Sequence, residues 1–388
     1  MEMNNVLKAY TLCIQARQPV MLWGGPGIGK TEITNAIARS LKFEMFEQVC
    51  ATWDPTDVGL PMLPPPDRQS SEDVDRVVEY YERVPPKWAH EIVAKAKAGK
   101  QVLLYLDEFS CTPPAVQAAT LKIVGEKKIG DLKLPDNLAI AGCANPADQA
   151  AGGWDLAPPA ANRWCHLNFK LDVAGWCEGM RTGFPDPKIL PITKGWENLI
   201  PSKRVLISAY IERFGSEHLY NLPDNEADAG KAWPSPRTWT RLADLLAAAE
   251  HTYPDTYRGT NSGIVLNLVR GMVGNPAVSF MTFIENLDLP DPEMLLNDPD
   301  LYQHPDRNDK AHVILNSVVA AVISKPSAKR WKAAIDIVRS AAKQGGQDLA
   351  CLPARTLLKN QVSGVEIPDD IIELFPTLQA AGLVGGAR

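Results

Sequence analysis

Gly24, Gly25, Gly27 and Gly29 recur within eight residues, GGPGIGKT, and Lys30 and Thr31 follow the last of them at once. Glycine at such spacing lets successive backbone N–H groups turn inward around an anion, in conformations and at distances that a Cβ would obstruct. The stretch fits G-x-x-x-x-G-K-[ST] from Gly24 through Gly25, Pro26, Gly27, Ile28 and Gly29 to Lys30 and Thr31, the pattern of a phosphate-binding loop. Lys30 would place an ammonium on the β- and γ-phosphates of a nucleotide. The Thr31 hydroxyl would bind Mg²⁺, and the N-terminus of a following helix would add its positive dipole end.

Two further stretches supply the groups that such a loop needs for hydrolysis. VLLYLDEF, residues 102–109, is an apolar run that ends in Asp107 and Glu108. Carboxylates at the C-terminal end of a buried strand face a nucleotide crevice, with Asp107 holding Mg²⁺ through its water shell and Glu108 polarising the attacking water in an in-line displacement. LAIAGCANP ends in Asn145, a neutral amide able to hold the attacking water or the γ-phosphate, although Asn-Pro is equally a turn starter. NPAD at Asn145 is not the NKxD guanine reader of GTPases, and no LSGGQ-like signature of transporter ATPases is present. Small-molecule kinases are less easily excluded.

These groups demand a parallel sheet with the loops at its carboxyl edge. Four runs read as strands, Val20 to Trp23, Phe46 to Cys50, Val102 to Leu106 and Leu138 to Cys143, and Ile33, Ile37 and Leu41 recur four apart on a helix spanning residues 31–42. The alternation predicts an α/β core over 1–170. Asp54 to Pro86 is rich in Pro, Asp and Ser and reads as an exposed insertion without regular core elements, while Lys127 to Asn137 reads as a β-hairpin. Beyond residue 170 helical periodicity takes over, as in 327–343, where Ser327 is a candidate N-cap, Trp331, Ile335 and Val338 share a face, and Gly345-Gly346 stop the helix.

Composition sets outer limits. The 388 residues are 45% hydrophobic and 22% charged, the balance of a globular protein of two or three domains. Forty basic against 46 acidic side chains leave a net charge of -6, which argues against a dedicated nucleic-acid binder. No apolar run approaches the roughly 20 residues that span a bilayer, and the first residues lack the features of a secretory signal, so a cytoplasmic location without membrane insertion is expected. The seven cysteines are dispersed, form no CxxC pair and are expected to be buried thiols.

Taken together, GGPGIGKT, LLYLDEF, GDLKLPDN, AGCANPAD, LAPPAANRW and WPSPRTW resemble the MoxR group of AAA+ ATPases, close to the dynein-related AAA subfamily. Their order and spacing match to about Leu242, and the helical text beyond is similar too. The resemblance implies a P-loop NTPase core over 1–170, an α-helical lid over 171–300 and a helical C-terminal extension over 301–388. It implies that Lys30 and Thr31 are the Walker A pair, Asp107 and Glu108 Walker B, and Asn145 sensor 1. Arg163 would be the arginine finger that enters a neighbouring subunit's site, with Trp164 where the family has Phe and with Arg181 as a competitor. Arg237, in a helix started by Pro234, Ser235 and Pro236, would be the sensor 2 arginine touching the γ-phosphate in cis. The 54–86 insert and the 127–137 hairpin would line a pore. The function so implied is Mg²⁺-dependent ATP hydrolysis in a homo-oligomeric ring, a hexamer, that remodels or activates a client protein in a chaperone-like manner together with a von Willebrand A domain partner. The alternatives are a ring motor on DNA, which the acidic net charge disfavours, and a non-hydrolysing assembly switch, which has no need of Glu108.

Overall fold

Short runs of Val, Leu, Ile and Ala that are apolar at every position, not at alternate ones, can be satisfied only by strands covered on both faces. In the computed structural model, which describes residues 4–62, 82–146, 149, 153–253, 262–287, 289–362, 365–368 and 371, these runs form one parallel sheet. The strands of the chain are β1 Val20–Trp23, β2 Phe43–Val49, β3 Leu60–Met62, β4 Glu82–Val84, β5 Gln101–Asp107, β6 Lys128–Ile129, β7 Leu132–Lys133, β8 Leu138–Ala144 and β9 Cys165–Asn168. The sheet order is β2-β5-β8-β1-β9, with every pairing parallel. The α/β core with helices on both faces is thus as expected, with β2 beginning three residues earlier than its apolar run suggested.

This order decides which chain segments meet. β8 lies between β1 and β5, so the residues leaving the carboxyl ends of all three, Gly24, Asn145 and Asp107, emerge side by side. Period-2 alternation then puts Tyr105 with Asp107, and Cys143 with Asn145, on the same face of the sheet. That face is covered by helices Asn5–Gln15 and Lys30–Ser40 and merges with helices from 200 to 287 into one core containing Tyr10, Leu22, Ile37, Tyr105, Cys143 and Leu242. The other face buries Met21, Leu104, Leu106, Phe109, Ile140 and Trp164. A separate, mainly helical core spans Leu295 to Ile371 around Trp331.

Several local features depart from the sequence reading. Helix Asn5–Gln15, capped by the Asn4 carboxamide on the Leu7 N–H (2.9 Å), and strand β9 were not anticipated. The 54–86 insert is not devoid of regular structure: a turn at Pro55–Val58 leads into the antiparallel ribbon of β3 and β4, while the remainder, with Tyr80 and Tyr81, lies outside the described residues. β6 and β7 form the expected hairpin. Its turn residue Gly130 has φ +53°, and a Cβ there would stand 2.4 Å from the Arg83 carbonyl oxygen, so only glycine lets the hairpin tip rest on β4. The Arg83 N–H donates to Asp131 Oδ2 (3.1 Å), tying insert to hairpin.

Beyond residue 170 the described chain is helical apart from its links. Ser327 accepts from the Arg330 N–H and caps helix Ala328–Ala341, which buries Trp331, Ile335 and Val338 as its spacing implied. Gly345, at φ +97°, breaks that helix but delivers the chain straight into another, Gln347–Lys359. All seven cysteines are free, and Cys13, Cys50, Cys143 and Cys165 are buried. Cys111, Cys177 and Cys351 are only half-buried, a correction to the expectation for all seven. Among the described residues no helix is long and apolar enough to cross a membrane.

Candidate active site

The turn after β1 depends on Gly29, whose φ of +88° starts helix Lys30–Ser40 without any side chain covering its first N–H groups. Those N–H groups, with the helix dipole behind them, are donors for phosphate oxygens. Lys30 is buried, and its ammonium donates to the carbonyl oxygens of Gly24 (2.8 Å) and Gly25 (2.9 Å) and to Asn145 Oδ1 (2.7 Å). Burial pulls its pKa below the ordinary lysine value, with Asp107 and Glu108 acting in the opposite direction. The structure therefore brings Lys30 and the Asn145 amide, 115 positions apart in the chain, into direct contact.

Asp107 is held by three donors. Its Oδ2 accepts from the Thr31 hydroxyl (3.0 Å), and its Oδ1 accepts from the Glu108 N–H (2.8 Å) and from the Cys143 thiol (2.6 Å). Burial, then the contact with Asp107, pushes the Cys143 thiol up to about 12, so at neutral pH it is a hydrogen-bond donor. Glu108 leaves the strand in the left-handed region (φ +53°), unusual for a non-glycine residue, and is exposed at the crevice rim. The Asn145 N–H donates to the buried Ser110 hydroxyl (3.0 Å), which anchors Asn145 to the turn that follows Glu108.

Beside the loop lies a cleft of about 880 Å³ that sequence reasoning did not identify. It is bounded by Pro26 to Gly29, Ile33 and Ala36 on one side and by Phe169, Trp176 and Phe184 on the other, with Asn4 and Leu7 at one end. A mostly apolar slot with aromatic walls next to a phosphate loop suits a flat heterocycle. The only sequence trace of it was Trp176 and Phe184 in an otherwise polar, glycine-rich segment.

The arginines lie elsewhere. The Cys165 N–H donates to the Pro19 carbonyl (2.9 Å), so Arg163, just before β9, sits at the amino end of β1, the end opposite Gly24. Four residues of strand separate the two ends, on the order of 10 Å. Arg237 follows it there, donating to Asn162 Oδ1 (3.3 Å), and Arg241 donates to the Arg163 carbonyl (2.7 Å). The buried Asn162, which also accepts from the Ser235 hydroxyl (2.8 Å), fixes the start of helix Pro236–Thr252 to the Arg163 turn. The helix start itself is as anticipated, with Ser235 as N-cap and Pro236 in the first position.

Cations cluster at this end of the sheet, with Glu126 near Arg163 and Asp244 near Arg241. Arg163 donates to the Pro159 carbonyl, yet its Nε is buried with no hydrogen-bond partner among the described residues. Burial and then Arg237 lower the pKa of Arg163; burial, Arg237 and Arg163 bring Arg241 down to about 10. Lys127, brought down to about 8 by burial and then Arg17, donates to the Asp136 carbonyl (2.6 Å) and so braces the hairpin base, whereas Lys128 is exposed. Arg181 stands apart, exposed and paired with Glu178 (2.9 Å) on helix Val173–Thr182, which borders the cleft.

One buried residue joins the two ends. Trp23, immediately before Gly24, donates through Nε1 to His166 Nδ1 (2.9 Å), and His166 Nε2 faces the Ala161 carbonyl (2.8 Å). The first contact makes Nδ1 the acceptor, so the proton resides on Nε2, and burial depresses the pKa to about 4. Nothing in the text CHLN marked this residue.

Residues 20–121 match the profile of the family described as ATPase family associated with various cellular activities (AAA). No curated protein sequence matches the chain. Among solved structures, a protein from Cytophaga hutchinsonii, provisionally described as an ATPase, is similar at 15% identity and TM-score 0.45 over 74% of this chain and 90% of its own. A mutant of RuvB from Thermotoga maritima is similar at 13% identity and TM-score 0.28, over 76% of this chain and 75% of that one. NtrX from Brucella abortus, in complex with ADP, is similar at 13% identity and TM-score 0.23, over 88% and 68%. Residues 20–121 therefore carry an AAA ATPase domain sequence, on a parallel sheet flanked by helices and continued by further helices, and the protein is an ATPase.

Proposed function

We propose that the chain is a Mg²⁺-dependent AAA+ ATPase of the MoxR type, whose copies assemble into a ring with active sites shared between neighbours. The observation that carries this reading is the division of the site between the two ends of the sheet. Lys30, Thr31, Asp107, Glu108 and Asn145 converge at one end, while Arg163 and Arg237 gather at the other, too far away to serve the same phosphate loop.

In this reading the N–H groups at the start of helix Lys30–Ser40 and the Lys30 ammonium hold the phosphates, and the heterocycle enters the cleft between Ile33 and Trp176. Thr31 and Asp107 offer a hydroxyl and a carboxylate, the hard donor set that suits Mg²⁺, with the buried Tyr105 hydroxyl beside Thr31. Mg²⁺ bound there with ATP neutralises phosphate charge. Glu108 takes the proton of the attacking water, and Asn145 orients that water or the γ-phosphate. Arg163 and Arg237 enter the site of the adjacent copy and stabilise charge developing on the transferred phosphoryl group.

Hydrolysis then works mechanically, because Asn162 ties the arginine turn to helix Pro236–Thr252 and moves the two together. The resemblance to MoxR ATPases supports a client protein as the load, a von Willebrand A domain protein as the partner and a hexamer as the ring. The test is to mix Lys30→Ala, which lacks the loop cation, with Arg163→Ala, which lacks the trans cation. Each is expected to be inactive alone and the mixture to regain a fraction of wild-type ATPase activity; a mixture as inactive as its components refutes shared sites.

A further inference from the structure

We propose that Cys143 is a positioning residue for Asp107, its thiol deciding which carboxylate oxygen faces Thr31 and the metal-bound phosphates. The inference rests on the ATPase reading and deepens it. Alternation along β8 places Cys143 on the same face as Asn145, and alternation along β5 places Tyr105 on the face of Asp107, so both residues stand immediately beneath the catalytic groups.

The terminal torsion of an aspartate is broad, and a carboxylate at a strand end selects one orientation only if its oxygens are given different partners. Here they are. Oδ1 accepts from the Cys143 thiol (2.6 Å) and the Glu108 N–H (2.8 Å), which occupies both of its lone pairs, whereas Oδ2 accepts, among the described residues, only from Thr31 (3.0 Å).

The position also restricts the residue type. β8 is buried along its whole length between β5 and β1, so the side chain must be small and tolerant of an apolar setting yet able to donate. Cysteine meets all three conditions. The Tyr105 hydroxyl is buried beside Cys143 and Thr31, the two side chains that contact Asp107.

The test titrates Mg²⁺ against binding of a fluorescent ATP analogue to the full chain, for wild type, Cys143→Ser, Cys143→Ala, Asp107→Asn and the double variant Asp107→Asn/Cys143→Ala. Cys143→Ala is expected to raise the half-saturating Mg²⁺ concentration about tenfold, the usual cost of losing a partner that orients a metal ligand, while metal-free nucleotide affinity stays unchanged. Cys143→Ser, which keeps an O–H donor, is expected within about threefold of wild type. In the Asp107→Asn background the Cys143→Ala change is expected to add nothing. If Cys143→Ala does not fold, Cys143→Val, similar in size and without a strong donor, takes its place. An unshifted Mg²⁺ curve, an equal shift for Ser and Ala, or the same shift in both Asp107 backgrounds overturns the role of Cys143 alone. Wild-type protein that binds no nucleotide, or binds it without regard to Mg²⁺, overturns the ATPase reading as well, and this is visible before any variant is made.

Discussion

The two ends of the parallel sheet treat charge in opposite ways. At the carboxyl end each charged group that touches the phosphate loop has partners from its own chain: Lys30 has three acceptors and Asp107 three donors. At the amino end burial and then Arg237 lower the affinity of Arg163 and Arg241 for protons, and the buried Arg163 Nε has no partner among the described residues. Gathering like charges costs stability unless an anion arrives to offset it. The contrast teaches that the carboxyl end is held by close hydrogen bonds within one chain, whereas the arginines of the amino end are offset only by Glu126 near Arg163 and Asp244 near Arg241.

The sharpest way to break that contrast is at the carboxyl end. Glu108→Gln is expected to lower ATP turnover by about 10³-fold or more while nucleotide binding persists, as measured by steady-state phosphate release and by equilibrium binding. Normal hydrolysis by this variant would remove Glu108 from its role. At the amino end, Arg163→Ala is expected to lower turnover by about 10³-fold with nucleotide affinity little changed, and only in samples concentrated enough to associate. An equal loss of affinity in dilute protein would instead place Arg163 at its own site.

His166, which links the ends, gives a smaller and pH-dependent effect. Its folded pKa of about 4 lies below the ordinary 6.5, so the unfolded chain takes up the proton first. Its contribution is complete above pH 6.5 and is lost as pH falls towards 4, worth about 3 kcal/mol in all. Urea unfolding across that window is expected to show a weaker pH dependence for His166→Gln than for wild type; identical slopes would mean that His166 is not held neutral. The smallest effect is expected at Arg181, an exposed ion pair with Glu178: Arg181→Ala is expected to leave turnover within about twofold. A loss as large as that of Arg163→Ala would transfer the trans role to Arg181.

What was legible in the sequence was what short stretches settle for themselves. The glycines of 24–29 announce a turn because only they relax into its conformations, and the runs at Val20, Val102 and Leu138 announce buried strands because they are wholly apolar, and too short for a helix. Ser235-Pro236 and Ser327 announce helix starts for equally local reasons. β9 was not legible, since CHLN has four residues, two of them polar, and becomes a strand only because β1 offers it an open edge. Cys143 and His166 were read as filling or not at all, because a thiol beneath a carboxylate and an imidazole between two backbones look like any other residues until their neighbours are known.

By itself, then, the sequence determined the phosphate loop, the acidic pair after β5, the amide after β8 and the change from α/β to helical structure, all matters of residue type and near-neighbour spacing. Only the tertiary structure decided that β8 runs between β1 and β5, which brings Lys30 to Asn145 and Cys143 to Asp107. It alone decided that Arg237 joins Arg163 at the far end of the sheet. Strand order and the docking of a helix are set by the burial of whole faces against one another, a sum over many distant contacts of which no single stretch of chain carries a record.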